Sequence, residues 1–147
     1  MTTPCDPDFE RRVRESFARQ KFMATLGATL DVVRAGEVHI AFSHREELTQ
    51  QHGYLHAGVL ASVADSACGY AALSLMEPDA GVLSVEFKIN MLAPAVGTRF
   101  VAIGRVVRSG RTITVCTAEV RVEDGTSPVA MMQATMMAVR DRKGVSD

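Results

Sequence analysis

Apolar positions along this chain change their period twice. Phe9, Val13 and Phe17 recur every fourth residue with Arg and Glu between them, the spacing of an amphipathic helix. Asp6-Pro7-Asp8 precedes them. Asp6 is therefore expected to cap that helix and Pro7 to take its first position. The helix should reach about Gln20 and lie across the outside of a core. The pattern then turns β-like over Ala28 to Arg34 and Glu37 to Ser43, joined by Ala35-Gly36 as a hairpin turn. His44 to Leu55 is polar, contains Gly53 and reads as a loop.

From Ala57 to about Met76 the chain runs AGVLASVADSACGYAALSLM, with no proline and no charge except Asp65. Leu60, Val63, Ala64, Ala67, Ala71 and Leu75 fall on one helical face. A helix of this length is about 30 Å long, and one this apolar must be buried on most sides. Glu77-Pro78 should end it. Strand-like stretches follow over Val82 to Leu92, Arg99 to Arg108, Arg111 to Glu123 and Val129 to Arg140. Ser109-Gly110 and Asp124-Gly125 are the expected turns between the last three. One long buried helix against an antiparallel sheet is an α+β architecture.

The chain has 147 residues, which fits one domain spanning 1–147, with about 1–7 and 142–147 expected to be flexible. Sixteen basic and 17 acidic residues give a net charge of -1, so composition carries no signal for nucleic acid or a membrane surface. Cys5, Cys68 and Cys116 are odd in number and lack CxxC spacing. A disulfide framework or zinc site is not expected, and a reduced, cytoplasmic setting is. The first fifteen residues hold no apolar secretory segment, and no stretch is apolar enough to span a bilayer.

Asp65 needs an explanation. Projected at 100° per residue, Gly58, Ala61, Ser62, Gly69 and Ala72 surround it, and all are small. A carboxylate in such a groove leaves room for another molecule, and burial should raise its pKa. A buried Asp anchoring a neighbouring loop is the plainer alternative, and both stay open on these residues alone. Gln50 to Gly58, QQHGYLHAG, leads into the helix, where the first free N–H groups can hold an anion or oxyanion. Ala57 and Asp65 are eight residues apart, about 12 Å along the axis, too far to grip one carbonyl carbon. If both act on one group, they come from two chains related by a two-fold axis.

The pattern Gln50-x-x-Gly53-x-x-His56-Ala57-Gly58-x6-Asp65, with a long Ala-rich helix and then Gly81-Val-Leu-Ser84-Val-Glu-Phe, resembles the hotdog-fold acyl-CoA thioesterases of the PaaI and THEM type. The resemblance covers roughly Lys21 to Arg140. It implies a long central helix wrapped by a curved antiparallel sheet of about five to six strands, with an N-terminal helix outside. It implies hydrolysis of an acyl-CoA to free acid and CoA without a cofactor. It also implies a homodimer with composite sites, in a family that often pairs dimers into tetramers.

Carried over by position, Asp65 matches the carboxylate that activates water or attacks the thioester. Ala57 matches the backbone N–H that polarises the carbonyl. Gln50 takes a place usually held by Asn, which orients that carbonyl. His56 braces the loop, Gly58 follows in the substrate-binding turn, and Ser84 matches a hydroxyl that helps hold the water. The family's HGG is His56-Ala57-Gly58 here, which keeps the N–H, while Gln50 is longer than Asn by one methylene. Arg108-Ser109-Gly110-Arg111 resembles the basic turn that contacts CoA phosphates, which Arg suits because its fork binds two oxygens.

Other positions carry weaker signals. An ordinary hairpin tip stays the alternative for Arg108, Gly110 and Arg111. Lys88 and Arg105 are further phosphate candidates, and Tyr54 is either an acyl contact or a loop anchor. Alternation puts Met131 and Met137 on one face of the last strand and Met132 and Met136 on the other, suited to core or to an acyl pocket. His39, His44 and His52 form no metal-ligand spacing, so no metal is expected, and no GxSxG elbow occurs. A non-catalytic acyl-CoA binding module and a hotdog hydratase are the alternative functions. Asp65 argues against the first. A longer His-to-acid loop would be needed for the second.

Overall fold

A computed structural model describes residues 3–145 and 147. Helix α1 (Phe9–Arg19) and a short α2 (Lys21–Thr25) lead into β1 (Thr29–Arg34) and β2 (Glu37–Ser43). The long α3 (Ala57–Leu73) follows. The chain closes with β3 (Gly81–Met91), β4 (Arg99–Ser109), β5 (Ile113–Val122) and β6 (Pro128–Val139). The six strands make one antiparallel sheet in the order β1-β2-β4-β5-β6-β3. Strands β2 to β6 all touch α3, so the sheet wraps the helix as the α+β reading requires. Period-two alternation fills the interface: Met132, Ala134, Met136 and Ala138 of β6 are buried, while Met131 stands outside. Phe42 and Phe100 stack with centroids 5.6 Å apart under the same sheet.

Gly104 marks the closest approach of sheet to helix. A methyl group there would lie 2.3 Å from the carbonyl carbon and oxygen of Ala67. Only a residue without Cβ lets β4 come this near α3, two residues beyond Asp65.

Several element ends differ from expectation. Helix α1 starts at Phe9 after Asp8, so Asp6 is not its cap. Asp6 instead accepts the Asp8 N–H at 2.8 Å through one oxygen and pairs with buried Arg12 at 3.3 Å through the other. Extended backbone at Gln20 breaks the helix and starts α2. Helix α3 stops at Leu73 rather than Met76, because its last carbonyls are taken by tighter bonds. Leu75 and Met76 donate to Ala72 and Leu73, and the Arg12 guanidinium donates to Leu73 O at 2.9 Å, Met76 O at 3.0 Å and Glu77 O at 2.7 Å. Arg12 therefore caps the central helix from α1. The expected Ser109-Gly110 turn is a longer loop: Ser109 still pairs with Thr114, and the loop spans 110–112. A 3-10 turn, Glu46–Leu48, and a Thr49 to Leu55 bridge order the polar segment before α3.

Of the terminal stretches expected to be flexible, residues 1, 2 and 146 lie outside the described residues. Asp147 Oδ1 accepts from Ser16 Oγ at 2.6 Å, and its Oδ2 accepts from Val82 N at 2.9 Å. No helix among the described residues is long and apolar enough to cross a membrane.

Candidate active site

Asp65 sits on the face of α3 that the sheet leaves uncovered, half-buried among small residues. Ser84 Oγ donates to Asp65 Oδ1 at 2.7 Å. Burial pushes the carboxyl pKa above its ordinary value of 3.8, and the Ser84 hydrogen bond opposes that rise by favouring the anion. Ser84 is thus the neighbour that favours the charged form of the carboxylate.

A β-bulge aims that neighbour. Ser84 pairs with Met136 and Glu86 with Thr135, which leaves Val85 as an extra residue in β3. Bulges bend a strand and redirect the side chains beside them. Val85 itself is 54% exposed. Nothing in Ser84-Val85-Glu86 distinguishes it from an ordinary alternating strand, so the bulge had no signal in the sequence.

Behind Asp65 lies a polar cluster that sequence reasoning also missed. Ser66 Oγ donates to Gln20 Oε1 at 3.1 Å, and Gln20 Nε2 donates to Tyr70 Oη at 3.4 Å. These groups, with Val82 and Asp147, line a cleft of about 120 Å³ that opens onto Asp65 and Ser84. Ser66 and Tyr70 sit one and five residues after Asp65 on the same helix, which was the available hint. Gln20 comes from a break between two helices that periodicity does not reveal.

The start of α3 forms a second arrangement. His56 is the N-cap, and its Nδ1 accepts the Gly58 N–H at 2.8 Å. Val59 N–H donates to His56 O at 2.9 Å. The Ala57 N–H has no acceptor among the described residues and stays open to solvent. Gln50 turns its amide oxygen to the His52 N–H, leaving its amide nitrogen free to donate. Gln50, Tyr54, Ala57 and Leu60 line one cleft of about 430 Å³ with Met91 to Ala95 as the far wall.

Asp65 with Ser84, and Gln50, Tyr54 and Ala57 with the 91–95 turn, thus form two separate clefts. The cleft lined by Ala57 does not reach Asp65, and the two lined by Asp65 do not reach Ala57. His56 and Gly58 line a third cleft, and Gly58 also borders a fourth together with Asp65. The 110–112 loop with Arg111, and Arg108 beside it, lie at the Ser84 end of the sheet, because Thr114, Met136 and Ser84 align across three strands. Two strand spacings put Thr114, just after that loop, about 10 Å from Ser84. Lys88 is exposed on β3 opposite Gln133, four residues beyond Ser84. Arg105 is held by Glu37 at 2.9 Å, in a cluster with His39. Cys68 and Cys116 are buried and their pKa values are raised by burial, Cys116 to about 12, so neither offers a thiolate.

Comparison with known proteins bears on the fold and its family. The family model of the thioesterase superfamily matches residues 52–129. A crystal structure of a thioesterase family protein from Silicibacter pomeroyi is 52% identical, superposes with a TM-score of 0.87, and is matched over 90% of this chain and 98% of its own. A Saccharolobus solfataricus protein named as an esterase is 34% identical over 61% of this chain and 64% of its own length, so the match spans just under two thirds of that relative. The 1,4-dihydroxy-2-naphthoyl-CoA hydrolase of Listeria monocytogenes is 26% identical over 81% of this chain and 95% of its own. The model match covers more than half of the chain, and with the six-stranded sheet wrapped on α3 it shows that this is a hotdog-fold protein belonging to the thioesterase superfamily, a family of thioester hydrolases.

Proposed function

We propose that the protein hydrolyses an acyl-CoA thioester to the free acid and CoA. The observation that carries this reading is the half-buried Asp65 carboxylate, held by the Ser84 hydroxyl in a groove of small residues. As general base, Asp65 takes a proton from water while the water oxygen bonds to the thioester carbon. The C–S bond then breaks, and the thiolate leaves and takes up a proton. As nucleophile, Asp65 instead forms an anhydride that water opens. Ser84 orients the attacking water in the first route, and the two routes share every residue. The Ala57 N–H stabilises the oxyanion, with Gln50 Nε2 as a second donor. His56 keeps Ala57 available by taking the Gly58 N–H on its own ring.

This reading needs two chains. Strand β3 is a sheet edge with Leu83, Val85 and Phe87 exposed at 40%, 54% and 44%. Such an unpaired apolar edge favours pairing with a copy of itself. A two-fold axis there lets Asp65 and Ser84 of one chain face Ala57, Gln50 and Tyr54 of the other, giving a homodimer with two sites. Acyl-CoA is supported by the CoA hydrolase among the relatives and by Arg108, Gly110 and Arg111 at the Ser84 end of the sheet, with Lys88 further along the edge. The test is thiol release from a panel of acyl-CoAs by wild type and Asp65→Asn. Release should drop by about 10²–10⁴-fold in the variant. Equal rates would sink the mechanism, and tight acyl-CoA binding without release would favour a binding module.

A further inference from the structure

Helix α2 carries a large apolar side chain that the fold does not use. Phe22 is 55% exposed, although its neighbour Met23 is 1% exposed and anchors α2 in the core. Gln20, at the start of α2, is tied to Ser66 and Tyr70 of α3. The backbone that carries Phe22 is therefore anchored on both sides, and its side chain lines clefts along α3 with Gly58 and Ser62.

Two clefts meet at that ring. One, of about 410 Å³, runs from Phe22 over Ala61 to Asp65 and Phe87. The other, of about 360 Å³, runs from Phe22 toward Leu26, Leu48 and Val59. They share three lining residues: Phe22, Gly58 and Ser62. The two spaces adjoin along the small residues Gly58 and Ser62, with Phe22 bordering both. Asp65 borders only the first.

The charge pattern identifies what part of a substrate belongs here. Neither cleft is lined by Lys or Arg, and the second contains Glu47. A diphosphate is disfavoured at such a place and a neutral hydrocarbon is favoured. The cations suited to phosphate stand elsewhere, on the 110–112 loop and the β3 edge.

We propose that Phe22 sets the acyl-chain length: the acyl group of the thioester lies in the cleft beside Asp65 and ends against the Phe22 ring, with a second apolar cleft closed off behind it. This rests on the thioesterase reading of Asp65. Burying one methylene is worth about fourfold in kcat/KM. Contacts far from the reacting carbon act equally on ground and transition states, so the change falls mainly on KM.

The experiment measures kcat/KM across straight-chain acyl-CoAs from acetyl to palmitoyl for wild type, Phe22→Ala and Phe22→Trp. Wild type should favour the short members. Phe22→Ala should raise the octanoyl-to-butyryl ratio by at least about tenfold, through KM, as two or more methylenes enter the opened cleft. Phe22→Trp should lower it. An unchanged ratio in both variants, with wild type active, overturns the role of Phe22 and leaves the thioesterase reading standing. A wild type inactive on every straight-chain member overturns the role of Phe22, and one inactive on benzoyl-CoA as well overturns both. Because Phe22 is largely exposed, neither variant threatens folding, and circular dichroism checks this.

Discussion

Replacing Ala57 with proline separates the oxyanion donor from everything else that α3 does. Ala57 is the first helical residue of α3, the one position where proline fits a helix without losing a bond. Its N–H has no acceptor to lose among the described residues. His56 before it has φ -62 and ψ 139, the extended region that a residue preceding proline prefers. The stability of Ala57→Pro should therefore stay within about 0.5 kcal/mol of wild type by urea denaturation. Removing one oxyanion donor should nevertheless lower kcat by about 10²–10³-fold, a loss of about 2.7–4 kcal/mol in transition-state binding.

The same variant decides whether the site is composite. Ala57→Pro and Asp65→Asn are each expected to be nearly inactive. Mixed one to one and allowed to exchange subunits, about half of the dimers are heterodimers. In each heterodimer one site joins the intact Asp65 of one chain to the intact Ala57 of the other, and the second site holds both defects. Activity should recover to about a quarter of wild type. Differently tagged chains and native mass spectrometry verify the exchange. Heterodimers that form without recovered activity would refute the two-chain arrangement, because sites made within one chain keep one defect each.

Four further outcomes follow from named contacts. Arg12→Ala leaves the Asp6 carboxylate without its cation in a buried place and Met76 O without a donor, while Leu73 O and Glu77 O keep only a backbone one, and should cost about 3–5 kcal/mol in urea denaturation; an unchanged midpoint would contradict the capping role. Gly104→Ala forces β4 from the Ala67 backbone and should cost about 1–3 kcal/mol or more, lowering thiol release as well because Asp65 moves with α3; a fully stable, active variant would show that the contact can relax. Asp65 has its pKa raised by folding, so its contribution to stability is fully present below the ordinary value of 3.8 and is lost as pH rises through the folded value. Asp65→Asn should thus be more stable than wild type at neutral pH, with the gain vanishing in acid. Ser84→Ala removes the bond that favours the anion and should move the acid limb of the pH–rate profile upward.

The two clefts explain which parts of the site could be read from residues and which could not. The axial distance between Ala57 and Asp65 is a property of any helix, so their separation followed from counting. The long helix followed from twenty residues with one charge, and the sheet from its alternation. What escaped was set by pairings between distant segments. The Val85 bulge depends on how β3 meets β6, and it is what turns Ser84 to Asp65. Gln20 reaches Ser66 only because the first helix breaks there, and Arg12 reads as one more charge on an amphipathic face until the end of α3 is seen above it.

These missed contacts share a direction. Arg12 fixes the C-terminal end of α3, Gly104 lets the sheet press on its middle, and Gln20 ties its open face to α2. A carboxylate whose burial raises its pKa is costly to keep charged, and its helix has to be held against relaxing away from the sheet. On this view the peripheral contacts hold the reacting group in a place it would not choose by itself. Loosening any of them should alter thiol release before it alters the fold.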